Sequence, residues 1–442
     1  MSEPIKVGVV SLGCPKNQCD AELMLAKLDK AGFKLVPEAG LADVVIINTC
    51  GFIQSAKEEA IEEICEAINR KNDGINKKII VTGCLAQRYQ QQMDEEFPEI
   101  DAVLGIGRNQ DIVEAVNRVM SGERIINFGK AEEHTMEGDR MLSTLPHYAY
   151  LRIADGCDNC CTYCAIPQIR GRFRSRTMEN IIAEAEGLVK SGVKELILIA
   201  QDTTRYGEDL YGKLMLPELV NKLCELDVKW IRLLYCYPER MTDELIDVIA
   251  KQEKVCKYID LPLQHCNAEI LHDMNRTGDR ASLTALIKKL REKIPGLTLR
   301  TTFITGFPGE TEEQFTELAE FVKDIEFERL GCFFYSQEEG TPAALMPDQI
   351  DDEVKNHRAE IIMESQMNIM DRLGEKQVGG DITVLTEGFD RYAECWFGRS
   401  AMDAPDIDGK VFFSAETKPY YGEMVTVHVD EAIDGDLFGT RV

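Results

Sequence analysis

Residues 155–167 read DGCDNCCTYCAIP, with cysteines at 157, 160, 161 and 164. The spacing Cys157-x3-Cys161-x2-Cys164 follows directly on YLRIA at 150–154, a run with the length and residue types of a buried strand. Three thiolates from one loop can hold three irons of a cubane and leave the fourth iron open to a non-protein ligand. A closed zinc site needs four ligands. Cys160 is the one further thiol in the loop, and adjacent Cys160 and Cys161 turn to one tetrahedral ion only at the cost of backbone strain. The stretch thus reads as a ligand loop at the carboxyl end of a strand, and it predicts an α/β protein around it.

Working outward, strand candidates recur at ELILIA (195–200), WIRLLY (230–235), KYIDL (257–261), LTLRTTFI (297–304) and LGCFFY (330–335). Helical stretches separate most of them. Met178, Ile181, Ile182, Ala185, Leu188 and Val189 make one such apolar stripe. Six βα units in succession predict a central, incomplete (β/α)6 TIM-like barrel over residues 147–374.

Ahead of it, IKVGVVSLGC, ADVVIINTC, KKIIVTGC and IDAVLGIG alternate with helical patterns. That is the rhythm of a doubly wound parallel sheet over residues 1–131. In the second of those helices Ala60, Ile61, Ile64, Cys65 and Ile68 share a face. The polar stretch 132–146, EEHTMEGDRMLSTLP, reads as a linker. The last segment, 375–442, breaks into short strands (ITVL, AECWF, KVFF, VTVHV) and predicts a small antiparallel β-barrel.

Cys14, Cys50 and Cys84 each stand at the carboxyl end of an N-terminal strand candidate, in SLGC, INTC and VTGC. In an open parallel sheet those ends line the ligand crevice, so three thiols far apart in sequence can converge there and hold a second cluster with an open iron. Free cysteine is also among the most buried residue types. Inert burial is the reading for Cys65, Cys224, Cys256 and Cys332, and Cys19 is ambiguous.

The central triad, with aromatic Tyr163 before its last cysteine, resembles the radical S-adenosylmethionine superfamily. SLGCPKN, NTCGFI and TGC ahead of it, LPLQHCNAEILHDMNR at 261–276 and the β-rich tail resemble the methylthiotransferase family over essentially the whole chain. The resemblance implies an N-terminal cluster domain, a radical core and a TRAM domain, with two 4Fe-4S clusters and S-adenosylmethionine as cofactors. It implies that Tyr163, Gln201 and Asp202 after the second barrel strand, and Gly306, Pro308 and Gly309 after the fifth, contact S-adenosylmethionine; each segment also reads as an ordinary βα turn. The implied reaction has two stages. One S-adenosylmethionine methylates a sulfur held at the auxiliary cluster, and a second yields the radical that removes hydrogen from the substrate.

Two branches of that family differ in substrate: transfer-RNA adenosine, and an aspartate of the twelfth small-subunit ribosomal protein. From Glu375 to Val442 six Lys and Arg face fourteen Asp and Glu, a net charge of −8, within a chain of 442 residues at −27. Phosphate backbones want the opposite sign, whereas a basic ribosomal protein suits it. SLGCPKN also points to the ribosomal-protein branch, with the protein met within the ribosomal subunit. The arginine-rich RGRFRSR at 170–176 could grip RNA but more often pairs with local acids. A non-enzymatic iron–sulfur protein that relays electrons or binds a ribosomal partner is the reading from another class.

Hydrophobic residues make up 44% of the chain and charged residues 29%, values of a globular protein. No apolar run reaches the ~20 residues of a membrane helix, and the start MSEPIKVGVV has no secretory pattern. These features predict a cytoplasmic protein with its fifteen cysteines in a reducing compartment; the family resemblance implies a monomer served by an external electron donor and an external sulfur donor.

Overall fold

The computed structural model describes residues 3–442. Contacts divide it into two units. The first comprises the chain up to Ser143 with 154–176 and 338–341; the second comprises 144–153, 177–337 and 342–442.

In the first unit β1 (Lys6–Ser11), β2 (Lys34–Leu35), β3 (Val44–Thr49), β4 (Lys78–Gly83), β5 (Ala102–Leu104) and β6 (Ile125–Asn127) form one parallel sheet in the order β2-β1-β3-β4-β5-β6. Helices α1 (Pro15–Lys30) and α4 (Ile112–Met120) supply Ala21, Met24, Leu28, Val116 and Val119 to one core. Helices α2 (Gln54–Asn72) and α3 (Cys84–Glu96) supply Ala60, Ile64, Ala67, Leu85 and Ala86 to the other. With both faces covered, β3 is buried at all six residues, which is why Val44–Ile47 is a continuous apolar run.

The expected face of α2 is corrected. Its buried stripe is Ala60–Ile64–Ala67, while Ile61 is 41% exposed and Cys65 is also exposed. Of the other three cysteines assigned to inert burial, Cys256 is buried and Cys224 and Cys332 are half-buried. Cys19 lies in the α1 core.

The expected linker is tied down rather than loose. Buried His134 bridges Asp20 (2.9 Å) and Asp155 (3.0 Å), Arg140 pairs with buried Glu22, and the Ser143 N–H donates to Glu22 at 2.8 Å.

The second unit begins with β7 (Tyr148–Arg152). The chain then leaves it for a hairpin of β8 (Ala154–Asp155) and β9 (Arg174–Ser175), with α5 (Ile166–Arg170) between them. It re-enters at α6 (Met178–Lys190), β10 (Glu195–Ile199), α7 (Glu208–Tyr211), α8 (Leu216–Cys224), β11 (Trp230–Leu233), α9 (Asp243–Lys251) and β12 (Val255–Asp260). There follow α10 (Ala268–Asp273), α11 (Arg280–Lys293), β13 (Thr298–Thr305), α12 (Glu312–Ile325), β14 (Arg329–Phe334) and α13 (Asp352–Glu375).

The six long strands pair in parallel as β14-β13-β12-β11-β10-β7, the open sheet of an incomplete barrel. Phe303 packs edge-on against Phe321 of α12 and against Phe327. That fixes the helix-covered face and leaves Arg300, Thr302 and their level partners on the inner one.

Strands β15 (Asp381–Asp390), β16 (Cys395–Ser400), β17 (Val411–Ser414), β18 (Met424–Ile433) and β19 (Asp436–Arg441) close into a small barrel. Four of its pairings are antiparallel, as expected; the fifth, β17 with β19, is parallel.

This small barrel closes the amino end of the inner face with buried charge. Glu195 pairs with Arg232 and with Arg399, each at 2.7 Å; Asp408 accepts from the Tyr258 hydroxyl at 2.6 Å, and Arg329 pairs with Asp403 at 2.5 Å. Burial pushes the Glu195 carboxyl up, but Arg399 and Arg232 more than offset it, so its pKa lies below the ordinary 4.5. A depressed carboxylate stabilises the fold above its unfolded-state pKa, and that contribution fades as pH falls through the folded-state value. Glu195→Gln leaves two buried guanidiniums short of their anion, so a cost of about 3–5 kcal/mol is expected. Thermal unfolding at neutral pH measures it.

Candidate functional site

The carboxyl ends of β1, β3 and β4 bring Cys14, Cys50 and Cys84 together. Two of the ends are shaped by a glycine. Gly13 has φ +88°, and a Cβ there would lie 2.8 Å from the Cys50 Sγ. Gly83 has φ +98°, and its missing Cβ would strike the Thr49 carbonyl. Cys14 caps α1 and Cys84 opens α3, so two of the three thiols sit where a helix N-terminus favours a thiolate.

Asn17 staples the three ends. Its Nδ2 donates to the carbonyls of Leu12 (2.8 Å), Thr49 (3.1 Å) and Asn48 (3.2 Å), while its Oδ1 lies 3.8 Å from the Cys84 Sγ. The last residue of SLGCPKN therefore has a structural task that spacing alone did not disclose.

The central cysteine loop lies in the same unit. The Cys157 N–H donates to the Gly171 carbonyl and the Cys164 N–H to that of Cys161. Cys161 is buried, and Ala165 and Ile169 behind the loop pack on Cys84. Cys160 is exposed with φ 50°, in contrast to buried Cys161 beside it. Burial, then the thiol of Cys161, pushes Cys164 above its ordinary range.

Arg170, 1% exposed, lies against the N-terminal trio. It pairs with Asp20 (2.9 Å) and Asp155 (3.2 Å), donates to the Asn17 Oδ1 (3.2 Å) and reaches the Cys84 Sγ at 3.6 Å. Burial pushes Cys84 up to about 12 even with Arg170 opposing it. Burial, then the Cys14 thiol, raises Cys50. Cys14 goes the other way: burial raises it, but Lys16 and Arg170 outweigh that.

The rest of the arginine run pairs locally, Arg176 with Glu137 at 2.7 Å and Arg172 with Asp158 at 3.6 Å. Arg172, 79% exposed, is the member that faces water.

Among the described residues no three His, Cys, Asp or Glu side chains are grouped to ligate one ion. Cubane thiolates each bind a different iron, so the two trios suit a cluster as donor sets, with Arg170 as the counter-charge.

The barrel residues expected to meet S-adenosylmethionine fall in the second unit. Asp202 is fully buried and engaged: it accepts from the Thr204 hydroxyl (2.5 Å), the Arg205 N–H (3.2 Å) and Arg240 (3.0 Å). It shapes the turn that carries Gln201.

Gly306, at φ +69°, leaves room for Lys355 of α13, onto which a Cβ would collide. The structure thus gives its missing side chain a packing reason beside the expected one of ligand approach. Its N–H donates to buried Glu310, which Arg358 also pairs. Pro308 is buried. Gly309, at φ +80°, is open to solvent with no heavy atom within 4 Å of its ideal Cβ. Tyr163 is half-buried in the cysteine loop.

Sequence and fold comparisons agree on the class. Residues 151–322 match the Radical SAM superfamily, 378–442 the TRAM domain, and 6–105 the family described as uncharacterized protein family UPF0004. Among solved structures, the radical S-adenosylmethionine methyltransferase TsrM from Kitasatospora setae with cobalamin and a [4Fe-4S] cluster bound is similar at TM-score 0.56. Its sequence identity is 13%, over 86% of this chain and 79% of that one. Apo, SeMet-labeled OxsB, a cobalamin-dependent S-adenosylmethionine radical enzyme, gives 0.52 at 12% identity, over 82% of this chain and 56% of that one. At such identities the likeness is one of fold; the match to the Radical SAM superfamily, with the cysteine loop inside it, marks a radical S-adenosylmethionine enzyme.

The ribosomal protein uS12 methylthiotransferase RimO of Desulforamulus reducens (strain ATCC BAA-1160 / DSM 100696 / MI-1) is 48% identical over 98% of both chains. The protein of the same name from Clostridium tetani (strain Massachusetts / E88) is 45% identical, also over 98% of both. The chain belongs to the ribosomal protein uS12 methylthiotransferase (RimO) family.

Proposed function

We propose that this protein methylthiolates the β-carbon of an aspartate in ribosomal protein uS12. The observation that carries the reading is the meeting of three strand-end cysteines around Asn17 and Arg170, in the unit that also holds the central cysteine loop. Cys157, Cys161 and Cys164 would hold one 4Fe-4S cluster, and Cys14, Cys50 and Cys84 the other. When bound, these groups and S-adenosylmethionine supply a 5'-deoxyadenosyl radical and a sulfur to be methylated and transferred. Such a division fits the target, because an unactivated C–H bond must be opened by a radical before sulfur can join it.

The chain's own residues do the holding. Arg170 places a buried positive charge against thiolates that would otherwise crowd negative charge in a dry site. Burial of Cys50 and Cys84 in one trio and of Cys161 in the other limits the access of water to them. Tyr163, Gln201, Asp202, Gly306, Pro308 and Gly309 are the S-adenosylmethionine contacts in this reading, and Asp202 and Gly306 also shape their own loops.

The acidic C-terminal barrel suits a basic ribosomal protein within its subunit, with RNA contact secondary. Electron and sulfur donors come from outside the chain, which works as a cytoplasmic monomer. Among the described residues no helix is long and apolar enough to cross a membrane.

Mass spectrometry of ribosomes from a strain lacking the gene tests the proposal. The expected uS12 is lighter by one methylthio group in place of hydrogen and is restored by the gene; an unchanged mass would remove the idea.

A further inference from the structure

Residues 338–341, EEGT, follow β14 with no strand or helix of their own, yet they belong to the first unit. Thr341 closes them into a turn: its N–H and its hydroxyl donate to the Glu338 carbonyl at 3.1 and 2.7 Å. Gly340 takes the third position at φ +78°, the left-handed place that such a turn gives to glycine. Glu338 and Thr341 are buried, so this polar connection is held at both of its ends.

The turn is tied to the carriers of both cysteine trios, and every tie lies within the first unit. Glu338 pairs with Arg88 of α3 at 2.7 Å and with Lys57 of α2 at 3.0 Å, and none of the three side chains is more than 12% exposed. Arg88 donates as well to the carbonyls of Gly51 (2.9 Å) and Glu339 (2.7 Å). Gly51 follows Cys50, and a Cβ there would lie 2.7 Å from the backbone of Leu85, the residue after Cys84. Arg88 thus holds the Cys50 loop where it touches the start of α3. At the other end of the turn, the Gly340 carbonyl accepts from the Gln168 Nε2 at 2.5 Å. Gln168 belongs to α5, four residues past Cys164, and Ala165 and Ile169 of the same segment pack on Cys84.

An acid shared by two cations away from water bears a desolvation cost that an apolar contact would avoid, and the best-attested return on that cost is one fixed arrangement. What is fixed here is the placement of two ligand loops that lie far apart in the chain. Reaction between groups held on separate loops depends steeply on that placement, since a shift of about 1 Å can cost about a hundredfold in rate.

Resting on the function proposed above, we propose that the turn Glu338–Thr341 is a strap that sets the spacing of the two cysteine trios, with Glu338 a positioning residue for sulfur transfer. The strap holds the N-terminal trio through Arg88 and Gly51, and the central loop through Gln168.

The test uses full-length protein reconstituted with both clusters, comparing wild type with Glu338→Gln, which keeps the size and removes the charge, and Gln168→Ala, which removes one hydrogen bond at an exposed residue. Three quantities are read: iron per chain, the distribution of separations between the two reduced clusters from their dipolar interaction in pulsed electron paramagnetic resonance, and modified uS12 per 5'-deoxyadenosine. Both variants are expected to keep about eight irons per chain, to show a broader distribution than wild type, and to lose about tenfold or more in the product ratio. A wild-type distribution or a wild-type ratio in Glu338→Gln overturns the inference. Should that variant lose iron, the same two readings on Gln168→Ala decide in its place. A wild type that forms 5'-deoxyadenosine yet leaves uS12 unmodified overturns the proposed function instead, while the separation measurement, which needs neither S-adenosylmethionine nor uS12, still decides the strap.

Discussion

Cys161→Ala is expected to abolish 5'-deoxyadenosine formation while the N-terminal iron stays, so that iron falls from about eight to about four per chain. Cys161 is a buried member of a trio with no spare position. Two remaining thiolates hold a cubane poorly, and Cys160 is exposed at φ 50° where Cys161 is buried. Cys14, Cys50 and Cys84 come from other loops and keep their own staple in Asn17. Product assay after chemical reduction, together with iron analysis, measures both halves. A persistent yield of 5'-deoxyadenosine would move the radical chemistry away from the central loop.

Arg170→Met should be nearly as damaging, by a different route. The side chain is 1% exposed and is the shared partner of Asp20, Asp155, the Asn17 carboxamide and the Cys84 sulfur. Methionine fills part of the volume but leaves two buried carboxylates with His134 as their remaining bridge. Removing one partner from a buried ionic set costs about 3–5 kcal/mol. The expected outcome is a markedly lower melting temperature and poor retention of the N-terminal iron; a variant that melts and loads iron like wild type would make Arg170 incidental.

Much of this site is legible in the chain itself because it is built on regular periods. Apolar runs of five or six residues mark the parallel strands, and a cysteine just past the end of a run marks a candidate ligand position; Cys14, Cys50 and Cys84 all fall there. What escapes sequence reading is contact across long separations. Asn17 and Arg170 stand 153 residues apart, and Arg399 reaches Glu195 across 204. Neither pair has a local pattern, and RGRFRSR shows its charge without showing that Arg170 points inward while Arg172 faces water.

The α2 face was displaced for a related reason. Ile61 and Cys65 are apolar yet exposed, and a helix with small alanines at 60 and 67 on its buried side gives periodicity little to choose between. Gly306 illustrates the limit for single residues. Its glycine leaves room for Lys355 of α13, an element nearly fifty residues further on.

Two separate cubanes, one on each trio, are the premise beneath the radical step, the sulfur transfer and the role of Arg170. Iron and sulfide analysis of anaerobically reconstituted full-length protein tests it most directly. Two clusters predict about eight irons and eight sulfides per chain; about four of each, or zinc in either trio, would contradict it.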